Sequence, residues 1–193
     1  TPEKFTEIND RYTRETGEVM PVTWDHSHFA VSKHILPKDY SARLLLWPES
    51  IQHSQMFHLR PFNSQHCQVP VTNGKGKLTP EFVDYIGFVE DLFALWLEGP
   101  RPGNTLWTCP ELGTTVGYNV STNPPVWPDA VRCRKEILLA WERALGRVST
   151  KKSADSSDPA FQFMNFAENL LTYLHPVSLR LLKFSVVGMP HPC

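Results

Sequence analysis

Three short apolar stretches each lead into side chains that can bind a metal ion, and this repeat constrains the fold more than any other feature of the chain. The stretches cover residues 22–24, 55–57 and 105–109. The polar residues that follow them are, in order, Asp25 and His28, His58 and Arg60, and Glu111. Because catalytic groups in parallel α/β folds lie at the carboxyl ends of the strands, we expect these side chains to form one site.

Helical patterns alternate with the three stretches. A Thr-Pro-Glu sequence, typical of a helix start, occurs at Thr1 and again at Thr79. The predicted helices cover residues 2–16, 37–46, 79–97 and 129–145, and the predicted strands cover residues 18–24, 54–59 and 105–109. Residues 25–36, 60–78 and 110–127 are predicted loops. This alternation predicts an α/β fold with a parallel sheet of three strands.

The carboxyl-terminal part of the chain has a different composition. Residues 149–159 are polar and charged, and we interpret residues 148–159 as a linker. Two apolar-rich helices are predicted over residues 160–174 and 177–187, separated by His175-Pro176. The sequence therefore predicts a first unit at residues 1–147 and a helical tail at residues 160–193.

The composition argues against several classes of partner. The formal net charge is -1 and no Lys/Arg run extends beyond Lys151-Lys152, so we expect no nucleic-acid partner. No apolar run reaches the roughly 20 residues of a membrane helix, so we expect no membrane partner. The 4 cysteines form no C-x-x-C pair. Their spacing favours a reducing, cytoplasmic setting over a disulfide framework.

Each candidate residue also has an ordinary structural interpretation. Asp25 would cap the segment after its strand, His58 would pack in the core, and Arg60 would pair with a surface acid. Glu111 is the strongest candidate, because a position between Pro110 and Leu112 is unusual for a solvated charge. Weaker candidates for a place near the site are His26, His53, His66, Asn63 and Gln68.

The order Asp25-x-x-His28, His58-x-Arg60 and Pro110-Glu111 resembles the xylose isomerase-like TIM-barrel superfamily, and within it the sugar phosphate isomerase/epimerase type. The resemblance covers about residues 18–145. It implies a partial (β/α) barrel that contains about the last three βα units. Strands one to five of the family barrel, with their first Glu ligand, are absent from this sequence. The resemblance therefore implies a missing barrel half or self-association, and it leaves open whether this chain alone is active.

Specific roles for the site residues follow from the resemblance. It implies that Asp25, His58 and Glu111 bind a divalent metal. It also implies that His28 contacts the substrate, and that Arg60 contacts the substrate or its phosphate. Glu111 is in addition the candidate catalytic carboxylate, as one of two groups that move a proton.

The donor types agree with this chemistry independently of the family. Two carboxylates and an imidazole suit Mn²⁺, Co²⁺, Mg²⁺ or Zn²⁺. Such an ion polarises a carbonyl and acidifies the neighbouring C–H, so a carboxylate can remove the proton. The first hypothesis is accordingly a metal-dependent isomerase or epimerase of a sugar or sugar phosphate.

Two alternatives remain open at this point. One is a truncated or split non-catalytic chain that binds a partner through an exposed sheet edge. The other is a metal-dependent hydrolase of the same fold, such as an abasic-site endonuclease, although the near-neutral charge disfavours a DNA substrate.

Overall fold

A computed structural model describes residues 2–100, 105–113, 126–155 and 178–181. The chain alternates helices with short strands. The helices are α1 (Pro2–Thr16), α2 (Ser27–Ser32), α3 (Tyr40–Leu44), α4 (Pro48–Gln52), α5 (Pro80–Glu98) and α6 (Val126–Asp155), and a single 3₁₀ turn covers Pro37–Asp39. The strands are β1 (Thr23–Trp24), β2 (Met56–His58), β3 (Thr105–Cys109) and β4 (Ser178–Leu181).

The four strands form one sheet in the order β1-β2-β3-β4, and each neighbouring pair is parallel. The connection from β1 to β2 is described from end to end, and it contains the helices α2, α3 and α4. A parallel pair needs such a crossover, because a short hairpin can join antiparallel strands only. The predicted α/β class with a parallel sheet is therefore confirmed.

The two faces of the sheet differ in burial. Trp24, Phe57 and Thr108 occupy the same register position on β1, β2 and β3, and all three are buried. Met56 and Trp107 are register partners one position earlier and are only half-buried. Since side chains alternate between faces along a strand, the core lies on one side of the sheet and the other side is more open.

Helices α5 and α6 cover the buried side. Thr79 caps α5 by accepting a hydrogen bond from the Phe82 backbone N–H at 3.2 Å, and Pro80 opens its first turn. The Trp141 ring of α6 packs edge-on against Phe93 of α5, with ring centroids 5.2 Å apart. The Trp96 indole N–H donates to the Ser54 carbonyl at 2.8 Å, which attaches α5 to the start of β2.

A buried carboxylate joins α6 to the loop that precedes α5. Asp129 is 3% exposed. Its side chain accepts hydrogen bonds from the Val71 N–H at 2.8 Å and from the Thr72 hydroxyl at 2.8 Å. This contact holds the long loop after β2 against the helix layer, so the loop has a defined path.

The carboxyl-terminal elements differ from the prediction. α6 continues to Asp155 without ending at Gly146, so the first part of the predicted linker is helical. Ser178–Leu181 is a strand paired with β3, so the helix predicted over residues 177–187 is wrong there. Within the described residues, the sheet consequently has four strands and not three. The rest of the predicted helical tail lies outside the described residues, and the division into two units and a linker stays a prediction.

The amino-terminal half also differs in detail. β1 is limited to Thr23–Trp24, although a strand was predicted from residue 18. α2 lies inside the segment predicted as a His-rich loop, and α4 was not predicted. Among the described residues, no helix has both the length and the apolar content required to cross a bilayer.

Candidate metal centre

Three of the residues singled out in the sequence converge at one end of the sheet. Asp25 follows β1, His58 is the last residue of β2, and Glu111 lies two residues after β3. Each of the three offers one ligand atom, and these atoms all lie within 4.8 Å of one another. The convergence follows from the topology, because the carboxyl ends of adjacent parallel strands share one edge of the sheet.

His58 and Glu111 are in direct contact, at a distance that suits either an ion pair or two ligands of one ion. His58 Nδ1 lies 2.9 Å from Glu111 Oε2. Two ligands at right angles on an ion, with bonds of about 2.1 Å, are about 3.0 Å apart. Apart from this contact, Glu111 Oε2 is buried without a hydrogen-bond partner among the described residues. A buried carboxylate oxygen next to an imidazole nitrogen can share a cation with it, so the residues present fit a divalent ion.

Asp25 is fixed by the residue that opens α2. The Ser27 backbone N–H donates to Asp25 Oδ1 at 3.0 Å, and the Ser27 hydroxyl donates to the same oxygen at 2.5 Å. The second oxygen, Oδ2, lies 3.3 Å from His28 Nε2. The carboxylate therefore has one oxygen held by the backbone and one directed to the site. Ser27 was not among the residues singled out from the sequence, although an Asp-x-Ser turn after a strand is a recognisable signal for this arrangement.

Arg60 lies beneath the two carboxylates and is 3% exposed. Its Nη2 is 3.3 Å from Asp25 Oδ2 and also donates to Glu111 Oε1. Burial disfavours the charged guanidinium, but the neighbouring charges of Asp25 and Glu111 outweigh this and raise the pKa of Arg60. Arg60 is therefore a structural counter-cation of the site. A direct contact with substrate was implied by the resemblance, and this burial does not favour it.

His28 is exposed to solvent, in contrast to the buried Arg60. Its side chain is 62% exposed. Among the described ion pairs, its one contact with the site is with Asp25. The imidazole is consequently accessible from solvent at the edge of the candidate centre. This position suits a substrate contact better than the buried position of Arg60 does.

Two of the weaker histidine candidates, His26 and His53, are held by packing or by local hydrogen bonds away from the ligand atoms. His26 is buried and stacks on Trp24, with ring centroids 5.1 Å apart. Burial lowers its pKa to about 4, although the nearby charge of Asp25 acts in the opposite direction. His53 ends α4, where its Nδ1 lies 2.8 Å from the Glu49 carbonyl. Neither residue belongs to the group of ligand atoms at the strand ends.

Asn63, His66 and Gln68 all lie in the loop after β2. The Asn63 side chain accepts hydrogen bonds from the backbone of Gln65 at 2.9 Å and His66 at 2.7 Å, so it organises a local turn. Gln68 reaches the segment after β3 and bonds to Gly113. Of these three, Gln68 is the residue whose side chain connects to the segment that carries Glu111.

Comparisons with known proteins do not assign a family. No protein-family model matches the chain, and no curated protein or solved structure gives a significant match.

Proposed function

We propose that this chain is a divalent-metal-dependent isomerase or epimerase that acts on a sugar or sugar phosphate. The observation that supports this proposal is the convergence of Asp25, His58 and Glu111 at the carboxyl edge of three consecutive parallel strands. We also propose that β1, β2 and β3 are the last three strands of a (β/α) barrel of the xylose isomerase-like type. The mixed carboxylate and imidazole donors favour Mn²⁺, Co²⁺, Mg²⁺ or Zn²⁺.

In such a site, different residues would bind the metal, orient a ligand and transfer the proton. Asp25 Oδ2, His58 and Glu111 would hold the ion, and Ser27 would keep Asp25 oriented. When bound, the ion would polarise the carbonyl of a hydroxy-carbonyl substrate. Glu111 would accept the proton from the carbon next to that carbonyl, with Arg60 stabilising the carboxylate between proton transfers.

His28 would orient the substrate from the solvent side. Its exposed imidazole can exchange hydrogen bonds with a sugar hydroxyl while Nε2 remains near Asp25. We propose a cytoplasmic setting for this activity, in agreement with the free thiols of Cys67, Cys109 and Cys133.

The first experiment measures metal content. The protein is stripped with chelator, dialysed against each of the four ions, and analysed for metal per chain. We expect about one ion per chain for the wild type and at least a tenfold weaker affinity for Glu111→Gln. Glu7→Gln removes an exposed carboxylate from a surface ion pair in α1 and serves as the matched control. Wild-type protein that binds none of these ions would overturn the proposal.

The second experiment tests the reaction class. Ketoses, aldoses and their phosphates are incubated with metal-loaded protein in D₂O, and deuterium incorporation next to the carbonyl is followed by NMR. Proton transfer by Glu111 predicts solvent exchange at that carbon, which Glu111→Gln abolishes.

A second candidate function is supported by the shape of the sheet. β1 lies at one edge in the described strand order, and the face that carries Met56 and Trp107 is only half-buried. A non-catalytic chain that binds a barrel half or a second copy of itself would use this surface. Light scattering of the purified chain distinguishes the two candidates, since this one predicts oligomers without stoichiometric metal.

A further inference from the structure

Gln68 connects the two segments that deliver His58 and Glu111 to the site. Its side-chain Nε2 donates to the Gly113 carbonyl at 3.0 Å, and its Oε1 accepts from the Gly113 N–H at 2.7 Å. Both polar groups of the amide therefore bond to one residue. Two bonds to one residue restrict both its position and its rotation, which a single bond does not do.

The loop that carries Gln68 has its own internal bonds. The Val69 N–H donates to the Pro61 carbonyl at 2.8 Å, which closes the segment directly after Arg60. Within it, the Asn63 N–H donates to the His66 carbonyl at 3.0 Å. Gln68 as a whole residue is 3% exposed. An amide that is buried on a closed loop has few alternative rotamers, so it is a rigid attachment point.

Gly113 is attached to the site through a short, packed segment. Glu111 is two residues before it, and the intervening Leu112 is 4% exposed. On the other side, the Cys109 carbonyl accepts from the Leu59 N–H at 2.7 Å and closes the β2–β3 ladder. Glu111 thus lies between two fixed points, the end of β3 and the Gln68–Gly113 pair. A shift of the second point would move the carboxylate relative to His58.

We propose that Gln68 is a positioning residue that holds Glu111 opposite His58 and Arg60. This inference extends the proposed function, because the same geometry would serve a bound ion. Hydrogen-bond partners behind metal ligands commonly contribute 10- to 100-fold in metal affinity. Gln68 would have this role for Glu111, as Ser27 has it for Asp25.

The deciding experiment is a double-mutant cycle in metal-free protein, followed by urea unfolding. Gln68→Met keeps the length of the side chain and removes both bonds to Gly113. If Gln68 positions Glu111, Gln68→Met lowers the urea midpoint more in the wild-type background than in Glu111→Gln, where the Arg60 contact is already weakened. Equal decreases in the two backgrounds would overturn the inference, since they would show that Gln68 stabilises the loop independently of Glu111.

If Gln68→Met does not fold, the same double-mutant cycle can be measured with the milder variant Gln68→Glu. Gln68→Glu keeps the acceptor for the Gly113 N–H and loses the donor to its carbonyl. We expect the same difference between backgrounds at a smaller amplitude. Equal decreases with this variant would overturn the inference in the same way.

Cobalt binding provides the second readout. We expect Gln68→Met to weaken Co²⁺ binding 10- to 100-fold and to change the visible absorption of the bound ion. Gln52→Met is the matched control, because Gln52 also bonds to a backbone carbonyl, that of Leu95 at 3.2 Å, on a different part of the fold. Wild-type cobalt affinity in Gln68→Met would contradict the inference. If the wild type binds none of the four ions, the proposed metal function fails, and the metal-free cycle still decides the role of Gln68.

Discussion

Arg60 Nη2 lies 3.3 Å from Asp25 Oδ2, although the two residues follow different strands. The same nitrogen donates to Glu111, so one guanidinium joins the ends of β1, β2 and β3. Side-chain exposures are 3% for Arg60, 13% for Asp25 and 20% for Glu111. The pairs are therefore much less screened by solvent than surface ion pairs, and the two carboxylates depend on Arg60 for charge compensation.

Replacing Arg60 with Met should destabilise the protein by about 3 kcal/mol, because it leaves two partly buried carboxylates facing each other. Urea unfolding measures this change. We further expect Mn²⁺ to restore part of the loss, since a divalent ion at the same carboxylates would supply the missing positive charge.

The control for this change is Arg11→Met. Arg11 pairs with Glu15 on the surface of α1, and its side chain is 73% exposed. We expect a loss below about 0.5 kcal/mol and no response to Mn²⁺. An Arg60→Met protein as stable as Arg11→Met would show that Arg60 does not balance the site.

His26 should make the protein sensitive to mild acid. Burial lowers its pKa to about 4 in the folded chain, against 6.5 for a free imidazole. Because the folded state disfavours the proton, stability is complete above pH 6.5 and falls as the pH drops from 6.5 to 4. The difference corresponds to about 3 kcal/mol.

Replacement with Phe isolates this effect. His26→Phe keeps a ring in the stack on Trp24 and cannot be protonated. We expect the free energy of unfolding of this variant to change by about 3 kcal/mol less than that of the wild type between pH 7 and pH 4. The same pH dependence in both proteins would show that His26 is not responsible.

Asp129 should contribute more to stability than its place in the first turn of α6 indicates. Asp129→Ala leaves the buried N–H groups of Val71 and Thr72 without their acceptor. We expect a loss of about 3 kcal/mol in urea unfolding. Asp10→Ala, on the exposed surface of α1, should change stability by less than about 0.5 kcal/mol. A similar small effect at Asp129 would contradict its role in fixing the loop.

Gly99 should not tolerate a side chain. A Cβ at this position would overlap Gln52 Cβ and lie 2.5 Å from its Cγ, although the backbone φ of -93° suits any residue. We expect Gly99→Ala to lower stability by about 1 to 3 kcal/mol. Gly87→Ala, at an exposed position of α5 where a Cβ meets nothing within 4 Å, should stabilise by about 0.5 to 1 kcal/mol. Thermal unfolding of both variants provides the comparison.

Elements with strong local signals were predictable from the sequence. α5 begins where Thr79-Pro80-Glu81 predicts a helix, and β3 has the predicted bounds. α6 was predicted too short, because a single glycine costs only about 1 kcal/mol in a helix. Beyond Gly146, Arg147 pairs with Asp91 of α5 at 2.7 Å, and such long-range contacts favour a longer helix.

The strand β4 could not be predicted from its own residues alone. The residues around Ser178–Leu181 form a short apolar run that is compatible with a helix or a strand. Pairing with β3 decides between them, and pairing is not visible in one segment of sequence.

The candidate site was predictable to a similar extent. Asp25, His58 and Glu111 were found because the ends of neighbouring parallel strands must lie close together. Gln68 was a weak candidate, since its contact with Gly113 depends on the path of a long loop. The burial of Arg60 was also not predictable, because its contacts with Asp25 and Glu111 join segments that are distant in the sequence.

The parallel sheet has a consequence for how the chain folds. A strand can pair with the next one only after the whole crossover between them has been synthesised. The register partners are Trp24 with Phe57, Phe57 with Thr108, and Thr108 with Leu181. Contacts between residues this distant in sequence slow folding. During synthesis on the ribosome, the ends of β1, β2 and β3 can come together before β4 emerges. The candidate ligands would then be assembled before β4 has paired with β3.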